Sequence, residues 1–343
     1  MITNDDGKQL YCMIGLTEFR PGFNFEVDAC CYSYINYPRV GDLTKTKADK
    51  IWHNSLLNSF RKSIIDGSYK YCKHDTCPDL MNKSDVMKTY DELPEKLKEM
   101  VDDGSGKTKY GPLGIDYSFD QECNLACPSC RSGLVKNTES QEKIIKKISN
   151  DLENLSEDVE QIYISGSGDP FGSRASREWL LNFDKSKYPN LKRFVFHTNA
   201  NLLTPRMWEK VYPLIEGLEI IMIISIDAST PETYDVVRKN GNFFRLQDNL
   251  ENIKDLKEKG LINCLDARFV VQKDNYTEML DFVDFCRYYK FDKIIFTKLE
   301  DWDVSNEDHK SKTIHLPDHP LHNDFLKYAN DPKLDADDIM RNF

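Results

Sequence analysis

The sequence predicts an α/β fold: a parallel, partly closed sheet built from six strand and helix units, preceded by a small cysteine-rich segment. Three observations carry that prediction. Apolar, strand-like runs alternate with segments of helical spacing between residues 114 and 302, the pattern that builds βαβ units. Short polar motifs follow the apolar runs, where the carboxyl ends of parallel strands collect ligands. Of ten cysteines, five fall before residue 80 and three more within residues 123–130.

Taken in order, GIDYSFD at 114–120 is the first strand and runs into CNLACPSCR. A capping signal at Thr138 and Gln141 then opens EKIIKKISNDLENL, in which Ile144, Ile145, Ile148 and Leu152 recur at helical spacing. QIYISGSGDP is a strand entering a glycine turn. RFVFHTNAN, an element from Pro205 to Leu214, and LEIIMIISID continue the alternation. Helices follow at Pro231 to Val237 and Leu246 to Lys259, then NCLDARFVVQK, a segment from Tyr276 to Tyr289, and DKIIFTKL. The chain reads as four segments: a cysteine-rich domain at 1–81, a linker at 82–113, the core at 114–302 and a lid or barrel-closing tail at 303–343.

The 343 residues, 40% of them hydrophobic, suffice for one sizeable core and a smaller domain. With 46 Lys and Arg against 57 Asp and Glu, the net charge of −11 disfavours a surface built to grip nucleic-acid phosphates. The N-terminus lacks the apolar run of a signal peptide, and LEIIMIISI at 218–226 is too short to span a bilayer, so a cytoplasmic protein without a membrane partner is expected. In that compartment, grouped cysteines are metal ligands or catalytic groups more often than disulfides.

Cys123, Cys127 and Cys130 form a CxxxCxxC group with no fourth Cys or His close behind. A zinc site would need a distant fourth ligand, whereas three thiolates hold three irons of a [4Fe-4S] cube and leave the fourth iron open. This loop resembles the signature of the radical S-adenosylmethionine (radical SAM) superfamily, and residues 114 to 302 resemble its partial (β/α)6 core barrel. Asn124, Leu125, Pro128 and Arg131 resemble members that carry an auxiliary cluster as well. The resemblance implies a [4Fe-4S] cluster whose open iron takes the amino nitrogen and carboxylate of SAM. One electron then cleaves SAM to methionine and a 5′-deoxyadenosyl radical that abstracts hydrogen from carbon.

The same resemblance assigns the strand-end motifs. Gly166, Ser167, Gly168 and Asp169 stand where related enzymes carry Gly-Gly-Glu-Pro, a backbone edge for the methionyl ammonium; Ser167 and Asp169 depart from that pattern. Thr198 and Asn199 resemble the family's Thr-Asn segment, with His197 beside them as a candidate for handling protons. Ser225 and Asp227 flank the ribose and methionine of SAM, Arg238 lies near its carboxylate, and Asn275 contacts ribose or adenine. On the fifth strand Cys264, Asp266, Arg268 and Val270 share one face; an outward face beneath a helix is equally patterned, and the inward reading, which is preferred, makes Arg268 a pocket residue.

Before the core, Cys12, the adjacent Cys30 and Cys31, Cys72 and Cys77 resemble the auxiliary-cluster module called SPASM, or its shorter twitch form, which normally follows the barrel. Cys12, one of Cys30 and Cys31 with Cys30 preferred, Cys72 and Cys77 are the expected ligands of a second [4Fe-4S] cluster, with His74 a weak substitute; a zinc knuckle needs the same donors. GSGK at 104–107 lacks the spacing of a phosphate loop. His315, His319 and His322 in the tail lack the spacing of a metal motif.

The function expected is hydrogen abstraction followed by net oxidation or cross-linking of a peptide, with an electron donor such as flavodoxin or ferredoxin. The alternatives are a redox-neutral epimerase using Cys264 or Cys286 as hydrogen donor, a radical dehydrogenase of a small molecule, and a non-catalytic metal-binding interaction protein.

Overall fold

The computed structural model describes residues 1–164, 167–300 and 307–343. Two units emerge, residues 1–120, 138–167 and 184–192 in the first, and residues 121–137, 168–183 and 193–343 in the second. These boundaries cut across the four expected segments, and the expected 302/303 boundary lies outside the described residues.

The first unit holds β1 (Leu10–Cys12), β2 (Glu18–Pro21), β3 (Glu26–Asp28), β4 (Gly41–Asp42), β5 (Met87–Thr89), β6 (Gly114–Tyr117) and β7 (Gln161–Ile164). Five of these follow the order β7-β6-β2-β3-β4, parallel from β7 to β2 and antiparallel beyond. β1 and β5 form a separate antiparallel pair. Because β2 pairs with β6, part of the cysteine-rich segment joins the strand that opens the expected core. The helix Glu139–Leu152 begins at the expected capping box, with Thr138 and Gln141 bonding reciprocally. It buries Ile145, Ile148 and Leu152 and leaves Ile144 at the margin of the stripe. Phe19 packs edge-on to Trp52 at 6.0 Å, and both are fully buried.

The second unit is β8 (Arg193–Thr198), β9 (Glu219–Ser225), β10 (Cys264–Val271), β11 (Lys293–Lys298) and β12 (Ile339–Asn342), parallel neighbours in chain order. Helices at Pro205–Ile215, Phe243–Glu258 and Met279–Tyr288 connect them. The helix expected from Leu246 starts earlier because Asn242 caps it, its side chain accepting the Arg245 N–H. β10 alternates as predicted: Leu265, Ala267, Phe269 and Val271 are buried, while Cys264, Asp266, Arg268 and Val270 are part-exposed. Phe269 packs at a tilt against Phe282 at 4.7 Å and Phe296 at 5.3 Å, each such burial contributing about 1.5–3 kcal/mol.

The strands are mostly parallel, as expected, and no closed barrel is seen among the described residues. Short strands occupy the edges. The tail supplies β12, whose Ile339 registers with Ile294 of β11 and whose Arg341 and Asn342 keep that edge polar.

Candidate functional site

The cysteine loop, residues 121–137, belongs to the second unit. It turns tightly after Cys127, whose carbonyl accepts the N–H groups of Cys130 and Arg131 at 2.9 and 3.0 Å. Arg131 clamps the turn, Nη1 donating to the Gln121 carbonyl at 2.8 Å and Nη2 to Cys130 Sγ at 3.4 Å. Leu125 is fully buried and anchors the other side. All three thiols are free of disulfides.

Each sulfur has a nitrogen donor beside it. Cys123 receives the Leu125 N–H at 3.4 Å and Asn199 Nδ2 at 3.7 Å; Cys127 receives Arg238 Nη1 at 3.7 Å. Such donors favour thiolates. Burial opposes them, pushing Cys123 up to about 12 with help from the charge of Asp169, and raising Cys127 against the pull of Arg238. A bound metal removes those protons. Among the described residues no three His, Cys, Asp or Glu side chains close on a single ion; a cubane asks instead for one thiolate at each of three separate irons.

Gly172 backs this loop so closely that a Cβ would lie 2.5 Å from Asn124 Oδ1 and 2.9 Å from Asn124 N. Backbone cannot yield as a flexible side chain does. Gly172→Ala is therefore expected to cost about 1–3 kcal/mol and to lower iron uptake by the loop. Thermal unfolding and iron analysis of the reconstituted variant check both, and wild-type values for the two would show that the loop is not held there.

The carboxyl ends of β8 and β9 meet the loop. Asp169, 2% exposed, accepts four hydrogen bonds: from Phe171 N–H at 3.0 Å, Gly172 N–H at 2.8 Å, Thr198 Oγ1 at 2.8 Å and Asn199 N–H at 2.8 Å. With its carboxylate so occupied, Asp169 is a brace for the Thr198-Asn199 turn. Ala200 follows at φ 57° and Asp227 at φ 64°, left-handed conformations that non-glycine residues hold only when their surroundings enforce them. Asn249 Nδ2 does so for Ala200, donating to its carbonyl at 2.8 Å. Asp227 is held by the Val270 N–H on Oδ1 at 2.8 Å and by Asn275 Nδ2 on its carbonyl at 2.9 Å.

Arg238 links these parts. Its Nη2 lies 2.8 Å from Asp227 Oδ2 while its Nη1 faces Cys127, and both side chains are buried. The ion pair lacks hydrogen-bond alignment, so Asp227 Oδ2 and Arg238 Nε remain buried polar atoms without a hydrogen-bond partner, as do Arg268 Nε and Gln272 Nε2. The unmatched atoms of Arg238 and Asp227, which reach Cys127 of the three-thiol loop, fit a zwitterionic ligand, since such atoms are costly to bury unmatched.

Residues 117–286 match the radical SAM superfamily. They form a radical SAM domain. No curated protein matches the sequence of this chain. Among solved structures, the chain is similar to Streptococcus suis SuiB bound to S-adenosylmethionine, at 13% identity over 100% of this chain and 73% of that one, with a TM-score of 0.47. It is similar to native anSMEcpe with bound AdoMet and Kp18Cys peptide, at 18% identity over 55% and 51%, TM-score 0.37. It is also similar to the methyltransferase TsrM from Kitasatospora setae with cobalamin and a [4Fe-4S] cluster, at 13% identity over 55% and 37%, TM-score 0.39.

A radical SAM domain implies a [4Fe-4S] cluster and SAM, and the other expected residues can be placed against that domain. His197 Nε2 lies 2.8 Å from Ser225 Oγ. Burial, then the charges of Arg268 and Arg238, push His197 down to about 3 from 6.5. The folded chain thus keeps this ring neutral while the unfolded chain protonates it, so its contribution is full above pH 6.5 and is lost as pH falls toward 3. Between pH 7 and 5 wild type should lose roughly 1–2 kcal/mol more than His197→Asn; parallel denaturation at the two pH values would refute this if the two proteins lost the same.

Asn275 is fully buried, and its amide is committed to the backbone of Asp227, Val270 and Gln272. It shapes the turn after β10, where a ribose or adenine contact is expected. Cys264 opens β10 and donates to Asp266 Oδ1 at 3.2 Å. It precedes Arg268 by four positions, roughly 13 Å along an extended strand, and so stands away from the carboxyl ends. Cys286 is fully buried within Met279–Tyr288. Gly166 lies outside the described residues; Ser167 belongs to the first unit and Gly168 to the second. Gln272, Gly172 and Asn249 carried no motif and were invisible to spacing; Gln272, next to the strand end and 1% exposed, offered only its place in QKDN.

The N-terminal cysteines lie in the first unit. Cys12 and Cys77 each precede a short helix, Met13–Thr17 and Pro78–Asn82, and Cys72 bridges to Ile35. Tyr69 ties two of these segments together: its hydroxyl accepts the Cys12 N–H at 3.0 Å and its carbonyl accepts the Cys72 N–H at 2.9 Å. One ring nitrogen of His74 faces the same carbonyl at 3.2 Å. Burial pushes Cys12 up to about 12, reinforced by Asp79, Cys72 and Cys77. Cys72 rises to about 12 through burial, Cys30 and Cys77, and Cys30 rises through burial and Cys12. Four thiols from distant segments therefore lie within one another's electrostatic reach.

Proposed function

We propose that the radical SAM domain is catalytic, with Cys123, Cys127 and Cys130 holding a [4Fe-4S] cluster and SAM lying against Ser225, Asp227, Arg238 and the turn after β8. The observation that carries this is the run from Cys127 through Arg238 to Asp227, buried and left with unmatched polar atoms beside the three-thiol loop. When bound, cluster and SAM supply a 5′-deoxyadenosyl radical that abstracts hydrogen from carbon. The chain's part is positional: Asp169 and Gly172 hold the loop and the Thr198-Asn199 turn, Asn275 holds Asp227, and neutral His197 orients Ser225. At about 3, His197 is too weak a base to carry a proton near neutral pH.

Cys12, Cys30, Cys72 and Cys77 are proposed to hold a second, fully ligated [4Fe-4S] cluster in a SPASM or twitch-like setting. Their mutual electrostatic reach supports this, and full ligation suits taking an electron from a substrate radical. Net oxidation or cross-linking of a peptide by a cytoplasmic enzyme, with flavodoxin or ferredoxin as reductant, is the resulting reading. Among the described residues no helix is long and apolar enough to cross a membrane. The epimerase reading draws no support from Cys264, at the far end of β10, or from Cys286 in the core.

Anaerobic reconstitution with assay of iron, sulfide, zinc and 5′-deoxyadenosine tests the whole. About eight irons and eight sulfides per chain with SAM cleavage is the expected result. About four irons with cleavage removes the second cluster, and zinc without cleavage overturns the enzyme.

A further inference from the structure

Arg268 stands apart from the other arginines of the second unit's strands. Arg193 on β8 pairs with Glu219 at 2.7 Å, and Arg341 on β12 with Asp335. Arg268, on the part-exposed face of β10, makes no salt bridge and no side-chain hydrogen bond among the described residues, and Asp266 reaches it only through its charge. Its Nε is buried and unmatched. Asp266, the nearest acid along the same face, instead accepts the thiol of Cys264. A guanidinium whose Nε is buried and unmatched still wants an acceptor, and its planar fork matches a carboxylate with two parallel bonds.

Its place in the sheet says where that anion would lie. Arg268 registers with Ser225, the last residue of β9, at the carboxyl ends where the site forms. Arg238 is the arginine that touches the cysteine loop, at Cys127, and Arg268 has no contact with any of the three loop sulfurs. Beside Arg268, Ser225 and neutral His197 bring no opposing charge.

We propose that Arg268 is the receptor for a substrate carboxylate, so that the substrate is an acidic peptide or another carboxylate-bearing molecule held with its acid group at the end of β10. This rests on the radical SAM reading of the site but is read independently of turnover. The reconstituted full-length enzyme is treated with phenylglyoxal, and modification of Arg268 is followed by peptide mass mapping with and without SAM. Three capped tripeptides are added to the SAM-bound enzyme: acetyl-Ala-Glu-Ala-amide, its glutamine counterpart, and acetyl-Ala-Ala-Ala with a free C-terminal carboxylate.

At least one acid should slow modification of Arg268 roughly tenfold, while the glutamine peptide leaves it nearly unchanged. Protection by the glutamate peptide assigns a side-chain carboxylate; protection by the free C-terminus assigns a chain end. Equal protection by acid and amide, no protection by either acid, or full protection by SAM alone overturns the proposal. Assay of 5′-deoxyadenosine in the same preparation keeps the two readings apart: cleavage without protection removes only the carboxylate receptor, and protection without cleavage removes only the radical chemistry.

Discussion

Replacing Cys123, Cys127 and Cys130 together by alanine is expected to remove about four irons per chain and to reduce 5′-deoxyadenosine formation to the level seen without enzyme. The physical reason is that one loop supplies all three thiols, with Asn199 and Arg238 donating to two of them. No acidic or histidine side chain closes with them on an ion among the described residues to take their place. The N-terminal set serves as the contrast. Exchanging Cys12, Cys30, Cys72 and Cys77 should remove a separate portion of the iron, because those thiols lie in the first unit and the loop in the second. If the triple variant keeps its iron and still cleaves SAM, the loop is not the catalytic site.

The second large effect is on stability. Asp227→Asn retains an oxygen for the Val270 N–H but takes away the charge 2.8 Å from buried Arg238. Stranding that cation should cost about 3–5 kcal/mol, read as a lower denaturant midpoint in cluster-free protein. Adding Arg238→Gln should restore part of the loss, since the stranded charge is gone, whereas independent contributions would simply add. An additive double variant would show that the pair is not coupled, and with it would fall the view that Arg238 joins the cysteine loop to β9.

Local signals in the chain were read well where they were dense. The Thr138 and Gln141 capping box, the helix at Pro231–Val237 and the alternation along β10 all stand as spacing predicted. β2 and β12 were missed because four residues such as EFRP or IMRN hold too little pattern, and their pairing depends on distant neighbours. Among the expected site residues, Asn275 is bonded to the backbone and Asp169 to the backbone and Thr198 Oγ1, pairings that no linear motif records.

By itself, the sequence determined the α/β alternation, the three-thiol loop and the strand-end polar motifs, because each is written in spacings of a few residues that local periodicity and ligand chemistry constrain. Only the tertiary structure decided that β12 pairs along β11, that Asp227 and Arg238 form a buried pair against Cys127, and that Cys12, Cys30 and Cys72 feel one another's charge. It also decided that the Arg268 Nε is left unmatched. These are relations between residues tens to hundreds of positions apart, set by packing and by the matching of buried polar groups, and such matching exists only once the chain has folded.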